Sequence, residues 1–166
     1  ETWSVNGVGR AGAHVVSAVD GRPAYGGTPS DESVVQAIAD LKRRGLGILM
    51  CPFLFMDVPG GNTLTDPYTG AGGQPSYPWR GRITCNPAPG VSGSPDKTGA
   101  AATQVESFFG SASASDFAVN GTAVSWTGGG DWGYRRMVLH YAHLCAAAGG
   151  VESFLIGSEL RGLTRV

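Results

Sequence analysis

The chain has 166 residues, 42% of them hydrophobic, which is one domain's worth of material with enough apolar content for a core. Its formal net charge is −1 and it carries no basic run, which excludes the clustered Lys and Arg that a nucleic-acid surface needs. No apolar run reaches the roughly 18 residues of a membrane span, and Cys51, Cys85 and Cys145, odd in number and without a CxxC, argue against both a disulfide framework and zinc.

Residues 1 to 10 are polar and glycine-rich, unlike a signal peptide. Gly7-Val8-Gly9-Arg10-Ala11-Gly12 matches GxGxxG, but a dinucleotide site needs a strand before the motif and a helix after it. The segment after this motif is β-rich, so the glycines read as a loop, and no cofactor is implied. Residues 13 to 20 predict a strand that carries His14 and ends at the turn signal Asp20-Gly21. Residues 21 to 29 read as a Gly/Pro loop. A helix opens from it, with Thr28 as cap, Pro29 in the first turn, and Asp31 and Glu32 at the positive dipole end. Val34, Val35, Ile38 and Leu41 share its apolar face, and Lys42, Arg43 and Arg44 precede the expected stop at Gly45.

Residues 46 to 56 are apolar without alternation, the pattern of a parallel strand covered on both faces, and Asp57 ends the run. A loop of roughly 40 residues comes next, a length that usually marks function or disorder. It contains Tyr77-Pro78-Trp79-Arg80-Gly81. Residues 97 to 109 predict a helix with Val105, Phe108 and Phe109 on its apolar face. Asn120-Gly121 between two β-rich arms predicts a hairpin with a type I′ turn, which explains Asn120-Gly121-Thr122 better than glycosylation does. A second long helix runs from about Trp132 to Ala148, with Met137, Val138, Tyr141, Leu144 and Cys145 as its buried stripe. Gly149 and Gly150 stop it, a last strand covers 151 to 157, and Ser158-Glu159 comes directly after.

Main strands separated by helices imply right-handed crossovers and a parallel sheet, so the fold class is α/β. Three main strands are too few to close a barrel. They fit consecutive strands of one, which makes residues 1 to 166 read as a single incomplete domain.

The chemistry concentrates at strand ends and in the long loop. Glu159 sits where barrel enzymes build their sites, and a partly desolvated carboxyl there suits a general acid. The alternative is a carboxylate at a helix start, or one paired with Arg161. Trp79 offers an aromatic face and Arg80 a planar donor, a pair suited to a sugar ring and its hydroxyls. Equally, Trp79 packs the loop down and Arg80 is solvated. Asp57 is either a strand-end ligand contact or a loop cap. His14 points into a pocket if a barrel forms, or packs in the core. His140 and His143 stand three apart on a helix, with no carboxylate or third His nearby in sequence, so they read as structural and no metal is implied.

Four stretches carry a resemblance: Arg22-Pro23-Ala24-Tyr25-Gly26-Gly27-Thr28-Pro29-Ser30-Asp31; Tyr77-Pro78-Trp79-Arg80-Gly81-Arg82-Ile83-Thr84-Cys85; residues 134 to 144, which begin Tyr134-Arg135-Arg136-Met137; and Phe154-Leu155-Ile156-Gly157-Ser158-Glu159-Leu160-Arg161-Gly162-Leu163. Together they resemble the glycoside-hydrolase-like TIM-barrel domain of gene transfer agent and phage tail proteins. More distantly, Thr-Pro-Ser-Asp, Trp-Arg-Gly and Ile-Gly-Ser-Glu-Leu are similar to motifs of barrel mannanases. The resemblance implies a partial (β/α)8 barrel, about strands 2 to 4, with the long loop and a β-hairpin insertion. It places Glu159 as the acid/base residue after the fourth strand. The nucleophile of a retaining pair, roughly 5 Å from the acid, would follow the seventh strand, beyond Val166. Many members have Asn before the acid/base residue, where this chain has Ser158. The implied setting is a tail or hub protein made in the bacterial cytoplasm, assembled with other tail or baseplate subunits, and acting on cell-envelope or capsular polysaccharide. The alternative is a structural or carbohydrate-binding hub part without turnover.

Overall fold

The computed structural model describes residues 28–163 in full and the backbone of residues 2–4, 7–8, 15–19 and 22–25. Two short parallel pairings organise it. β5 (Leu49–Met50) and β9 (Ser153–Phe154) pair with Leu49 beside Ser153 and Met50 beside Phe154. The Leu155 N–H extends this ladder to the Met50 carbonyl, 2.9 Å away. Glu152 reinforces it by accepting the Ile48 N–H at 2.6 Å. β6 (Phe55–Asp57) pairs in parallel with β1 (Thr2–Ser4), which also carries the antiparallel β2 (Gly7–Val8).

Several expectations are corrected here. The apolar run 46 to 56 is two strands, not one. Pro52 interrupts it, because proline has no N–H to give a ladder. The strand expected at 13 to 20 exists as β3 (Val15–Val19), but it does not join a parallel sheet. It pairs antiparallel with β4 (Arg22–Tyr25), a strand where a loop was expected. Only two residues separate β3 from β4, and a connection that short permits only an antiparallel pair. Gly7-Val8, expected as loop, is a strand. Among the described residues the strands form one three-stranded and three two-stranded sheets, and no closed barrel.

α1 (Asp31–Arg43) forms where its sequence dictates. Its cap is Ser30 rather than Thr28: the Ser30 hydroxyl accepts the Ser33 N–H, 3.1 Å away. Gly45 then takes φ +70°, the left-handed conformation that suits a stop. α2 (Gly99–Phe109) and α3 (Tyr134–Ala147) complete the helices. The hairpin β7 (Phe117–Asn120) and β8 (Ala123–Trp126) is present, but Asn120 pairs with Ala123. The two turn residues are therefore Gly121-Thr122. Only Gly121 has a positive φ, the pattern of a type II′ turn rather than I′. The hairpin docks on α3 through Arg136, which lies between the rings of Trp126 (4.2 Å) and Trp132 (3.6 Å).

The core lies between α1, α3 and one face of the β5–β9 pair. Val34, Ile38, Met137, Tyr141, Leu144 and Cys145 meet there, with Met50 and Phe154 packed against them. Leu49 and Leu155 fall on the opposite face, since neighbours along a strand alternate, and they are 58% and 43% exposed. The expected cover on both faces is thus found on one face only. All three cysteines are free; Cys85 and Cys145 are buried and Cys51 is half-buried. No described helix is long and apolar enough to cross a membrane.

Candidate functional site

Beyond β9 the chain is steered by a few fixed points. Tyr134 opens α3 and is buried, with Phe108 stacked on its ring and Phe109 at its edge. Its hydroxyl donates to the Ile156 carbonyl at 2.8 Å. Burial pushes the phenol above its ordinary pKa, Cys51 adds to this, and the Arg80 charge opposes it. Tyr134 therefore stays protonated and remains a donor at neutral pH. At Gly157 a Cβ would come within 3.1 Å of the Tyr134 oxygen, and at Gly162 one would run into the Ile83 carbonyl oxygen. The 3₁₀ turn Arg161–Leu163 thus lies directly against the end of the 3₁₀ turn Arg80–Arg82. Between these anchors Glu159 adopts φ +59°, the left-handed region that non-glycine residues seldom occupy.

The other half of the site comes from the long loop. Gly81 lies beneath the Trp79 indole, and a Cβ there would enter the ring. The folded-back indole donates its Nε1–H to Glu159 Oε2 at 2.8 Å. Arg80 Nη2 reaches the same oxygen at 2.5 Å. The Arg80 guanidinium lies 4.2 Å above the Phe53 ring. Its side chain is 18% exposed, against 48% for Glu159. Its Nε is buried, with no hydrogen-bond partner among the described residues. Oε2 of Glu159 therefore accepts the Trp79 indole N–H and is ion-paired with Arg80.

Glu159 lines a cavity of ≈ 510 Å³ shared with Phe109, Tyr134, Leu160 and Arg161, and it is the only carboxylate among the described residues of that lining. Trp79 lines a second cavity, of ≈ 230 Å³. Exposed aromatic surface continues nearby in sequence: Tyr77, held at φ +45°, has its ring 5.9 Å from that of Phe55.

Residues 132–166 match the family model of the GTA TIM-barrel-like domain. The match associates this part of the chain with the gene transfer agent barrel domain. It takes in α3, β9, Tyr134, Glu159 and Arg161, and not the loop that supplies Trp79 and Arg80. The chain matches no curated protein.

The structure brings together three of the residues singled out from sequence, namely Glu159, Trp79 and Arg80. Asp57 is 2% exposed, at the end of β6 and in register with Ser4. His14 lies outside the described residues. His140 does meet a carboxylate, Asp31, at 3.1 Å, which ties the start of α1 to α3. His143 bonds the Leu139 carbonyl and stacks on Phe117. Among the described residues no group of three His, Cys, Asp or Glu suits a metal ion.

Sequence reasoning missed Phe53, Gly81 and Tyr134. Tyr134 was within reach, because it precedes Met137 by three positions and Tyr141 by seven, on the same helical stripe. Phe53 carried no signal beyond an apolar run.

Proposed function

We propose that these elements belong to a (β/α)8-type, glycoside-hydrolase-like barrel domain in a tail or hub protein of a gene transfer agent particle, acting on cell-envelope or capsular polysaccharide. The observation that carries this reading is the convergence of Trp79 and Arg80 on the carboxylate of Glu159, in the loop beyond β9, at the edge of a cavity large enough for a sugar. Glu159 is the acid. Its Oε2 is engaged by two donors, so Oε1 is the atom that carries the proton to the leaving glycosidic oxygen. The half-exposed indole of Trp79 supplies a stacking face for a pyranose ring. In the two-carboxylate scheme the nucleophile stands roughly 5 Å from the acid, and it is not among the residues lining this cavity. Buried Asp57, at the end of β6, is the further candidate contact to the sugar.

The test is release of reducing ends from host envelope glycans by the protein and by Glu159→Gln. Loss of an acid catalyst lowers turnover by about 10²- to 10⁴-fold, and equal turnover in both would refute the role. A second reading is favoured by one specific observation. At rest Glu159 is ion-paired with Arg80, which suits a binding protein as well as an enzyme. On that reading glycan binding survives Glu159→Gln and neither protein releases reducing ends.

A further inference from the structure

Arg80 presents an electrostatic problem that the proposed acid role makes acute. Its guanidinium is largely buried, stacked on Phe53 and paired with Glu159. A cation in such a position is costly once its counter-charge is gone. Yet Glu159 must carry a proton to act as an acid, and a neutral carboxyl no longer balances Arg80. A neutral sugar does not solve this, because its hydroxyls bring no charge. A substrate that brings its own carboxylate does.

The geometry around Glu159 fits such an exchange. Trp79 Nε1 donates to one oxygen of this carboxylate, a charge-assisted bond, and Arg80 Nη2 is ion-paired with the same oxygen. Arg161 lines the same cavity as Glu159. Glu159 also holds its place with a left-handed backbone, a conformation that costs a non-glycine residue energy.

Building on the glycan reading above, we infer that the ligand is an acidic glycan, a polymer of uronic acids, and that a ligand carboxylate takes over Trp79 and Arg80 from Glu159. Glu159 is then an internal competitor as well as the acid. The incoming anion compensates Arg80 and leaves Glu159 free to hold its proton. Specificity for acidic over neutral polymers follows from one displaced ion pair.

The test titrates the protein with oligogalacturonate, oligoglucuronate and oligomannuronate, each beside its methyl ester, with neutral glucan and chitin oligomers as controls. Binding is read from the Trp79 indole N–H resonance, assigned with Trp79→Phe. At least one acid form is expected to bind about tenfold or more tightly than its ester, as loss of a charge-assisted pair implies. Glu159→Gln removes the competitor, so it is expected to tighten binding of that acid form while its cleavage is lost. Equal binding of acids and esters, or binding of neutral oligomers alone, would overturn the inference and leave the glycan reading standing. Weaker acid binding by Glu159→Gln would overturn the competitor role. Absence of binding by every oligomer would overturn both.

Discussion

The two faces of the β5–β9 pair are built from adjacent residues and do different work. On the helix side Met50 and Phe154 press against α1 and α3, and Leu144 at the centre is 0% exposed. On the open side Leu49 and Leu155 face outward, and Ile156 just beyond the strand is 73% exposed. The polar site, with its buried cation and left-handed glutamate, is reached by the same chain a few residues further on. Stability is therefore concentrated in the helix layer, and chemistry in the loops beyond the strand ends. Tyr134 joins the two regions, because its ring lies in the core cluster while its hydroxyl holds the strand end at Ile156.

That contrast is broken or sharpened most strongly by emptying the helix layer. Leu144→Ala should cost about 2–5 kcal/mol by transfer and cavity terms together, seen as a lower denaturation midpoint. A loss under about 1 kcal/mol would show that the core does not lie where we place it. Tyr134→Phe keeps the ring and removes the hydroxyl. It should cost about 1 kcal/mol and also weaken glycan binding, because the strand end that leads to Glu159 loses its tether. An effect on stability alone would separate the two regions more sharply than the fold suggests.

The acid limb provides a finer probe. Burial alone would raise the Asp131 carboxyl, but the N–H groups of Gly133 and Ser111 and the Ser111 hydroxyl outweigh it and hold its pKa below the usual range. The Ile48 N–H does the same for Glu152 on the exposed edge of the parallel pair. A carboxyl depressed in the folded state contributes stability above its unfolded value near about pH 4, and that contribution is lost as pH falls through the folded value. Asp131→Asn should thus lower the melting temperature at neutral pH and flatten its fall below about pH 4. An unchanged acid slope would remove Asp131 from the account.

Much of this architecture was legible because its signals are local. The Ser30 region, the Gly45 stop and the hairpin around Asn120 are each specified within a few residues. The parallel partners were not, because nothing near Phe55 announces that Thr2–Ser4 will lie beside it. The split at Pro52 was readable but was masked by the apolar run around it. At the site, Glu159 stood out by position and Trp79-Arg80 by composition. Their meeting across 80 residues depends on Gly162 resting on the Ile83 carbonyl and Gly81 lying under the indole, which no periodicity encodes. The charge conflict at Arg80 became visible only with its burial.

The largest expected effects on function belong to the site itself. The most direct measurement is a double-mutant cycle on glycan turnover with Trp79→Phe and Glu159→Gln, alongside the melting temperature of each variant. If the two residues act as one unit on the open side, the double variant turns over glycan no worse than Glu159→Gln alone, and Trp79→Phe, which leaves the Arg80–Glu159 pair intact, keeps its midpoint within about 0.5 kcal/mol of the parent. Losses that simply add, or a fall in the stability of Trp79→Phe that matches its fall in turnover, would contradict the account.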